Sequence, residues 1–547
     1  MSALTKAVRE AAETDKLLEG VNQLDQQTAN INSKLIDLKK EIEKLREKSP
    51  PNNETRPPIQ VGAMGYSEAT SWAQVVAGAQ ANIPVIVNRP LRVTGMDTLQ
   101  TDAPLKFTPL GSLELDRASS ARLRLPVINE SNHKIFYGVA IREGYPDRWD
   151  TVRRTNLNGD FGGNPERDAR WWGAKPHLNP NFATEEEAEA NNHAIAAASL
   201  SQDIIVRQVN VRLGAGDYPV HRTVRLDGIR AHLTGAGGLM GATKLWANSN
   251  RFRFDTSHQI NVHEFPQGTT PIIQVGWEQQ PNIRNQDEGM NSGVNDLTII
   301  GPITAQAVPI SGIMWESGWQ EGGRIRNVCV QNFYGYGIGG PRRKHIAHNT
   351  PDEKYYPPQV NSVKLEDIWI FGARGERAVG MSMFGVNYLV CGANTVDQQP
   401  FLDNGSKTYS LNHAILCGAS GQGYWQNMHV ETKGGAIKHA AICCPQTGSS
   451  MDRLTFDGVT NHVAGPHQGC RPRTLLLKND RGGYNARSIK MALSHQAGGV
   501  AIEDEFTGKL STGYDNSVHN GPWVASYSRQ KTAGVAEVIT SDPGLAL

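Results

Sequence analysis

Apolar and polar positions between residues 294 and 491 repeat one six-residue signature. Its form is apolar, any residue, small polar or charged, apolar, any residue, apolar. The copies lie at residues 294–299, 325–330, 365–370, 425–430, 451–456 and 486–491, with a weaker copy at 386–391. A period of two places alternate side chains on one face of a β-strand. The signature therefore predicts one strand that recurs along the chain.

The irregular spacing of the copies predicts a solenoid of β-strands. Helical repeat arrays keep a fixed period, whereas the coils of a parallel β-helix stack their strands and let the connecting loops vary. Asn or Asp at the third place tolerates a tight turn and can hydrogen-bond to a neighbouring coil. The third apolar residue of each copy should point into one continuous core, as at Ile299, Val330, Ile370 and Val430. An ordinary β-sandwich with chance similarity among its strands is the alternative.

Residues 17–45 carry a second pattern, with apolar residues at alternating steps of four and three. Position a of the heptad holds Val21, Thr28, Leu35 and Ile42, and position d holds Leu24, Ile31, Leu38 and Leu45. About four such heptads predict a coiled coil, and Leu at a beside Ile at d favours three strands. The alternative is a single amphipathic helix that packs on its own domain. The coiled coil would join three copies of the chain and attach them to a larger particle.

Proline and turn residues divide the chain. The sequence predicts a coiled-coil attachment helix at 1–49, a Pro-rich linker at 50–60, a β-rich lead-in domain at 61–170, a solenoid at 171–510 and a C-terminal cap segment at 511–547. The lead-in should open with a helix over residues 67–81 and continue as short alternating strands. Thr184 and Glu187 form a capping-box sequence, which predicts a helix through Leu200.

Composition excludes some functions. A net charge of +1 over 547 residues gives no electrostatic reason to expect nucleic acid or a membrane as a partner. No apolar run approaches the roughly 18 residues that cross a bilayer, and the first residues lack the apolar segment of a secretory signal. The six Cys form no C-x-x-C pair, and Cys329 and Cys391 take apolar strand positions. We therefore expect reduced, buried thiols, no metal site and no cofactor.

A series of short motifs resembles a known family. Trp172-Gly-Ala-Lys175 is followed by a helix, a strand that ends in Gly216-Asp-Tyr218, and the strand Leu233-Thr-Gly-Ala-Gly237. This order resembles the opening of pectate-lyase-like proteins, which include many bacteriophage tailspikes, and the resemblance covers roughly residues 81–510. The family's Gly-Asp-Gly and Asp-Asp-Thr run is absent here. The resemblance implies a right-handed parallel β-helix, and members include polysaccharide lyases, glycoside hydrolases, esterases and proteins without known catalysis.

The candidate functional residues are of types that bind and hydrolyse polysaccharides. Glycoside hydrolysis usually needs two carboxylates, one protonated and one ionised, and aromatic rings commonly hold the sugar. Alternation places Trp425, His429 and Glu431 on one face, opposite Met428 and Val430, and we expect the first face to point outward. The candidate catalytic residues are Glu431 and Asp397, and the candidate substrate-binding residues are Trp425, His429, Tyr424, Trp319 and Glu316, with Glu321 and Asp403 nearby in sequence. Ordinary solvated strand and loop residues are the alternative.

Three hypotheses for function follow. The first is a homotrimeric bacteriophage tail fibre or tailspike that recognises host cell-surface polysaccharide and joins other virion proteins through residues 1–49. The second is a tailspike that degrades the polysaccharide as a glycoside hydrolase or lyase. The third is a purely structural fibre on a capsid, baseplate or contractile injection device. In each case we expect synthesis in the host cytoplasm and a place on the virion.

Overall fold

The computed structural model describes part of the chain. The described residues are 65–142, 154–201, 208–226, 231–237, 241–260, 262, 264–275, 292–304, 306–315, 323–340, 343–345, 354–356, 362–375, 377–384, 388–392, 395–398, 401–403, 407–409, 411–418, 422–432, 437–445, 453–463, 473–478, 489–496, 500–504, 524–529 and 537–539. All belong to one compact unit, Val61–Leu547. The heptads at 17–45 lie outside the described residues.

In its described residues the lead-in contains one α-helix, α1 (Trp72–Gln80), and short strands. These are β1 (Ser67–Ala69), β2 (Val85–Val87), β3 (Pro90–Arg92), β4 (Met96–Gln100), β5 (Leu105–Phe107), β6 (Ser112–Glu114), β7 (Ser120–Arg124), β8 (Val127–Asn129), β9 (Phe136–Tyr137), β10 (Ile141–Arg142), β11 (Arg154–Thr155) and β12 (Leu157–Gly159). Three parallel sheets follow the orders β1-β2-β5-β8, β3-β6-β9 and β12-β7-β4. The lead-in is thus a small parallel solenoid, and α1 begins at the N-cap Ser71, later than the predicted start at residue 67.

The main solenoid follows the lead-in and consists of a long series of strands with helix α2 (Glu185–Ser199) between the first two of them. The first strands are β13 (Glu166–Asp168), β14 (Val209–Arg212), β15 (Gly216–Pro219), β16 (Val224–Leu226), β17 (Ala231–Thr234), β18 (Thr243–Trp246), β19 (Thr270–Val275), β20 (Gly293–Ile300), β21 (Ile310–Trp315), β22 (Gly323–Phe333) and β23 (Tyr336–Gly340). The predicted capping box of α2 is confirmed, because Thr184 and Glu187 exchange their side-chain and backbone hydrogen bonds.

The remaining strands continue the series. They are β24 (Arg343–His345), β25 (Lys354–Tyr356), β26 (Val363–Ala373), β27 (Val379–Phe384), β28 (Tyr388–Gly392), β29 (Thr395–Gln398), β30 (Phe401–Asp403), β31 (Lys407–Tyr409), β32 (Leu411–Gly418), β33 (Gln422–Gln426), β34 (His429–Thr432), β35 (Ile437–Pro445), β36 (Arg453–Val463), β37 (Arg473–Lys478), β38 (Ile489–Gln496), β39 (Val500–Asp504), β40 (Val524–Arg529) and β41 (Glu537–Ile539). The strands β40 and β41 extend the pairing beyond residue 510, where the sequence analysis ended the solenoid.

Each coil of the main solenoid has three sides. Two of these sides belong to one 15-stranded sheet. They are called the first arm and the second arm, and the second arm follows the first after a turn, as β15 follows β14 in the first coil. The third side is a separate 10-stranded sheet in the order β16-β19-β21-β23-β27-β32-β35-β37-β39-β41. Successive strands in both sheets pair in parallel. This pairing is that of a parallel β-solenoid, and the sandwich alternative is excluded. The right-handed sense stays a prediction, which agrees with the general preference of parallel crossovers.

The third place of the repeat is the turn between the two arms. Asp296, Asn327, Asp367 and Asn427 take this place with φ of 56°, 52°, 54° and 50°. Asn and Asp adopt this left-handed conformation more readily than other side chains because their short polar groups hydrogen-bond locally. Nδ2 of Asn327 donates to Oδ1 of Asp296 at 2.7 Å, so the turn side chains also bond from one coil to the next.

The core follows the predicted positions. Ile299, Val330, Ile370 and Val430 are all fully buried in one apolar cluster, which confirms the prediction for the third apolar residue. The same cluster extends back to Val87 in the lead-in, so both solenoid segments share one core. Among the described cysteines, Cys329, Cys417 and Cys443 are buried and form no disulfide, which agrees with the buried thiols that the sequence predicts.

Three predicted copies of the repeat are out of register with the rest. Leu365 pairs with Cys391, and Trp425 pairs with Phe456, whose partner in the next coil is Met491. The copies that begin at residues 386, 451 and 486 therefore start five residues too early. Their alternation belongs to the first arm alone, and a period of two does not distinguish one arm from the other.

The turn residue Asn327 gives the first prediction. Asn327→Ala should lower the free energy of unfolding by about 1–3 kcal/mol, because it loses the bond to Asp296 and strains the left-handed backbone. Asn327→Gly loses the bond but adopts the same φ freely, and it should be the more stable variant. Urea denaturation of both variants makes the comparison. Equal stability, or a more stable Ala variant, would contradict a turn governed by backbone conformation.

Candidate functional site

The outer face of the second arm carries partly exposed aromatic side chains. In β26, Ile368 and Ile370 point into the core, so the alternate residues Trp369 and Phe371 lie on the outer face. Their ring centroids are 5.2 Å apart and the planes are tilted by 43°. Both rings are partly exposed to solvent. This aromatic pair offers an apolar surface of the kind on which a sugar ring can lie.

The two candidate carboxylate residues lie directly beside this pair. Phe371 is in register with Asp397 on β29, Asp397 with Glu431 on β34, and Glu431 with His462 on β36. Neighbouring strands of a sheet lie about 4.8 Å apart. The backbone thus brings the positions of Asp397 and Glu431 together, although 33 residues lie between them in the sequence.

A second row runs parallel to the first on the same arm. Trp369 is in register with Thr395, Thr395 with His429, and His429 with Thr460. His429 is partly exposed, while Met428 and Val430 on either side of it are buried, as the sequence predicted. The outer face of the second arm, as this surface is called below, consists of these two rows from β26 to β36.

Trp425 does not belong to the outer face of the second arm. The sequence analysis placed it there, but its side chain is fully buried in the core, so that prediction was wrong. Trp425 and His429 are separated by the left-handed turn at Asn427. Alternation therefore does not continue from the first arm to the second, and the first place of the repeat points inward.

The other candidates are placed as follows. Tyr424 lies on β33, in register with Val390 and Thr455, within the first arm. Asp403 lies at the end of a small antiparallel hairpin, paired with Lys407. Trp319, Glu316 and Glu321 lie outside the described residues.

Trp369 and Phe371 are the residues that the sequence analysis missed. Trp369 holds the fifth place of its repeat copy, which His429 holds in a later copy. The signal was available, because the fifth place lies between two apolar places that point inward. An aromatic residue at the fifth place therefore has to lie on the outside of the coil.

A cavity of about 690 Å³ forms a separate candidate, where the lead-in meets the main solenoid. It is called the junction pocket below, and its lining residues are Lys134, Trp172, Gly173, Glu185, Glu186, Glu189, Ala190, His193 and His221. Helix α2 provides one wall, since residues three and four apart share a helix face. The helix is held in place by the buried amides of Asn191 and Asn192, which bond to the carbonyls of Pro219 and Arg222 at 3.0 and 2.9 Å.

Charges in the junction pocket are unevenly paired. Nε2 of His221 lies 3.9 Å from a carboxylate oxygen of Glu185 and 3.7 Å from one of Glu189. Glu189 also accepts from Arg222 at 2.6 Å. Lys134 extends over the ring of Tyr137, with Nζ 4.6 Å from the centroid, and burial lowers the pKa of this lysine.

A buried arginine fixes the chain beside this junction. Arg167 is fully buried, with its guanidinium 3.9 Å above the ring of Phe161, and it donates to the carbonyls of Gly159 and Glu166 at 3.0 Å each. Burial lowers the pKa of Arg167 to about 9, so it stays charged at neutral pH, and Asp160 favours the charged form. We interpret Arg167 as a structural residue, because its donors serve backbone carbonyls.

The described residues contain neither a candidate metal site nor a candidate membrane-spanning helix. In the described part of the chain, no group of three or more His, Cys, Asp or Glu residues is arranged to hold a metal ion. None of the helices with described residues is long and apolar enough to span a membrane.

Comparisons with known proteins give matches of structure only. No family model and no curated protein matches the chain. A solved structure described as ORF18 of Geobacillus virus E2 is 12% identical, with a TM-score of 0.29; the match covers 69% of this chain and 66% of that one, just under two thirds.

Two other solved structures have a similar level of likeness. The A-module of mannuronan C-5 epimerase AlgE6 from Azotobacter vinelandii is 11% identical, with a TM-score of 0.26, over 60% of this chain and 79% of that one. The receptor-binding protein of bacteriophage Det7, a podoviral tailspike in a myovirus, is 10% identical, with a TM-score of 0.15, over 82% of this chain and 78% of that one. None of these scores reaches 0.5, and the assignment of the fold rests on the strand pairing.

His193 gives a pH prediction. Burial lowers its pKa below the ordinary 6.5, and nearby Lys134 and Arg222 act in the same direction, while the bond to the carbonyl of Val139 and the charge of Glu189 oppose it. The unfolded chain therefore takes up a proton at His193 at higher pH than the folded chain does. Its contribution to stability is complete above pH 6.5 and is lost as the pH falls toward the lowered pKa.

His193→Gln removes the titrating group and retains a donor for Val139. Thermal unfolding between pH 7.5 and 5 should show a smaller loss of stability for this variant than for the parent chain. An equal loss in both proteins would show that other groups govern the acid response.

Proposed function

We propose that this chain is a bacteriophage tail-fibre or tailspike protein that binds host cell-surface polysaccharide along the outer face of the second arm. The single observation that supports it is the aromatic pair Trp369 and Phe371, of which Phe371 is in register with Asp397, which is in register with Glu431 in turn. A polymer of sugars needs an extended surface with repeated contacts. Stacked coils provide one, because equivalent residues recur at each strand spacing.

The chemistry of this surface suits a glycan. Aromatic rings contact the apolar faces of sugar rings, and carboxylates and imidazoles bond to hydroxyl groups. Trp369 and Phe371 supply the first kind of contact, and His429, Asp397 and Glu431 supply the second kind at positions one to two strands away. The binding surface would thus comprise about three neighbouring coils.

Hydrolysis of the bound polymer is the second candidate function. Retaining glycosidases hold their two carboxyl groups about 5–5.5 Å apart. Asp397 and Glu431 lie on neighbouring strands, whose spacing is about 4.8 Å. The register places the positions of Asp397 and Glu431 next to each other. We propose on this basis a catalytic pair, with one carboxyl as acid and the other as nucleophile.

Attachment to the virion is the remaining part of the proposal. The heptads between residues 17 and 45 would join three chains and bind other tail, baseplate or capsid proteins. A structural fibre without ligand would need the same helix, but it would not need partly exposed aromatic residues on the outer face of the solenoid. We therefore place recognition on the solenoid and attachment on residues 1–49.

Binding is tested with an array of bacterial capsular and lipopolysaccharide O-chain glycans. Trp369→Ala and Phe371→Ala should each lower affinity for the bound glycan about tenfold, which corresponds to about 1.4 kcal/mol of contact energy. Phe182→Ala is the matched control, because Phe182 is 49% exposed and lies outside this face. Unchanged binding by both Trp369→Ala and Phe371→Ala would remove the outer face of the second arm as the binding surface.

Catalysis is tested on the glycan that binds. Asp397→Asn and Glu431→Gln should each abolish release of reducing ends while binding is retained, because the amides cannot transfer the proton or act as nucleophile. Turnover that persists in either variant would leave a receptor-binding surface without this catalytic pair. If the parent chain also releases no reducing ends, the surface is likewise a receptor-binding surface without this catalytic pair.

Assembly is tested by light scattering. The full-length protein should have the mass of three chains, and deletion of residues 1–49 should weaken the association at micromolar concentration, since it removes all the heptads. A monodisperse monomer of the full chain would contradict the trimer.

A further inference from the structure

We propose that the junction pocket is a second ligand site, distinct from the outer face of the second arm, and that it binds a sugar acid. The observation behind this proposal is a half-buried cation and a wall of hydrogen-bond acceptors that face one cavity without pairing with each other. The cation is Lys134, and the wall is the side of α2 that carries Glu185, Glu189 and His193.

Lys134 provides the site for an anion. Its Nζ lies over the ring of Tyr137, and within the described part of the chain no carboxylate lies within ion-pair distance of it. Burial alone lowers the pKa of this lysine. A ligand carboxylate in the pocket would restore the favourable environment of the ammonium group, because an opposite charge nearby stabilises the charged form.

The opposite wall offers acceptors. Nε2 of His193 contacts the carbonyl of Val139 at 2.9 Å, and since a carbonyl only accepts, this nitrogen donates. In the neutral ring, Nδ1 is then an acceptor. The carboxylates of Glu185 and Glu189 are acceptors too. A ligand on this side must therefore bring donors, and hydroxyl groups are donors that add no charge.

Charge on the acidic wall is already partly compensated. Glu189 pairs with Arg222 at 2.6 Å and lies 3.7 Å from His221, which also contacts Glu185. The wall thus has less need of a cationic ligand than Glu185 and Glu189 alone would have. A molecule with one carboxylate and several hydroxyl groups matches both walls, and that is the chemistry of a sugar acid.

The cavity is large enough for this class of ligand. Ligand pockets in proteins commonly measure about 300–1,000 Å³, and the junction pocket measures about 690 Å³. Its walls are held rigidly by the buried Asn191 and Asn192 on one side and by Trp172, which is 2% exposed, on the other. A preformed site of this kind binds without a large ordering cost.

Calorimetric titration with D-glucuronate, D-glucose and D-glucosamine at low ionic strength tests the proposal. Glucuronate should bind most tightly, and Lys134→Met should weaken its binding at least tenfold. Ala190→Trp should abolish the binding, because Ala190 is an exposed position of α2 that lines the cavity and a helix accommodates the larger residue.

The matched control is Lys106→Met. Lys106 also lies over a tyrosine ring of the lead-in, with Nζ 5.4 Å from the centroid of Tyr66, but it is paired with Glu130 at 2.7 Å and does not line the pocket. This variant should bind glucuronate within twofold of the parent chain. Folding of every variant is checked by circular dichroism.

The outcomes separate this site from the proposed polysaccharide surface. The combined Trp369→Ala and Phe371→Ala variant should keep its affinity for glucuronate. Loss of binding in that variant, with retention in Lys134→Met, would overturn the junction pocket while supporting the outer face of the second arm. No binding of glucuronate to the parent chain, or tighter binding of glucosamine, would also overturn it.

Discussion

Four of the described turns between the two arms each depend on one residue in the left-handed backbone conformation. Asp296, Asn327, Asp367 and Asn427 hold φ between 50° and 56° at this point. A β-strand alternates its side chains between two faces, so a single residue out of place would reverse every side chain that follows it. The turn therefore sets which residues of the second arm are core and which are exposed. The coil-to-coil bond between Asn327 and Asp296 keeps that setting aligned in neighbouring coils.

Packing in the core fits the register that the turns set, because glycines on the third side face branched side chains of the second arm. Gly312, Gly337 and Gly380 stack on the third side of successive coils. A Cβ at these positions would meet the side chains of Val330, Ile370 and Val396 at 2.5, 2.6 and 2.8 Å. The branched side chains of the second arm thus fill the space that the glycines leave open. A slip of one residue between the sheets would place branched residues against each other, so packing enforces the register that the turns define.

The repeat predicted the stacked strands, the turn position and the buried third apolar residue, since each follows from period and residue type. It did not predict that Trp425 is buried, because the turn at Asn427 interrupts the alternation on which its outward placement depended. The parallel pairing of the lead-in was also missed, since strands of two to five residues carry little information about their partners. The junction pocket is assembled from four separate segments, and Lys134 and Glu189 have no sequence relation that reveals their proximity.

The partly exposed ring of Trp369 differs from the earlier residues of its row. The second arm holds Thr298 and Cys329 in register with Trp369, and both of these are fully buried. This chain buries smaller groups at equivalent places, whereas the large apolar rings stay in partial contact with water. The rings therefore contribute less to the stability of the fold than they would if they were buried. Such departures from the pattern concentrate where a ligand completes the surface. The row of Phe371 continues to Asp397 and Glu431, and the row of Trp369 continues to Thr395 and His429. A sugar chain placed across these rows would cover the rings and meet both carboxylate positions.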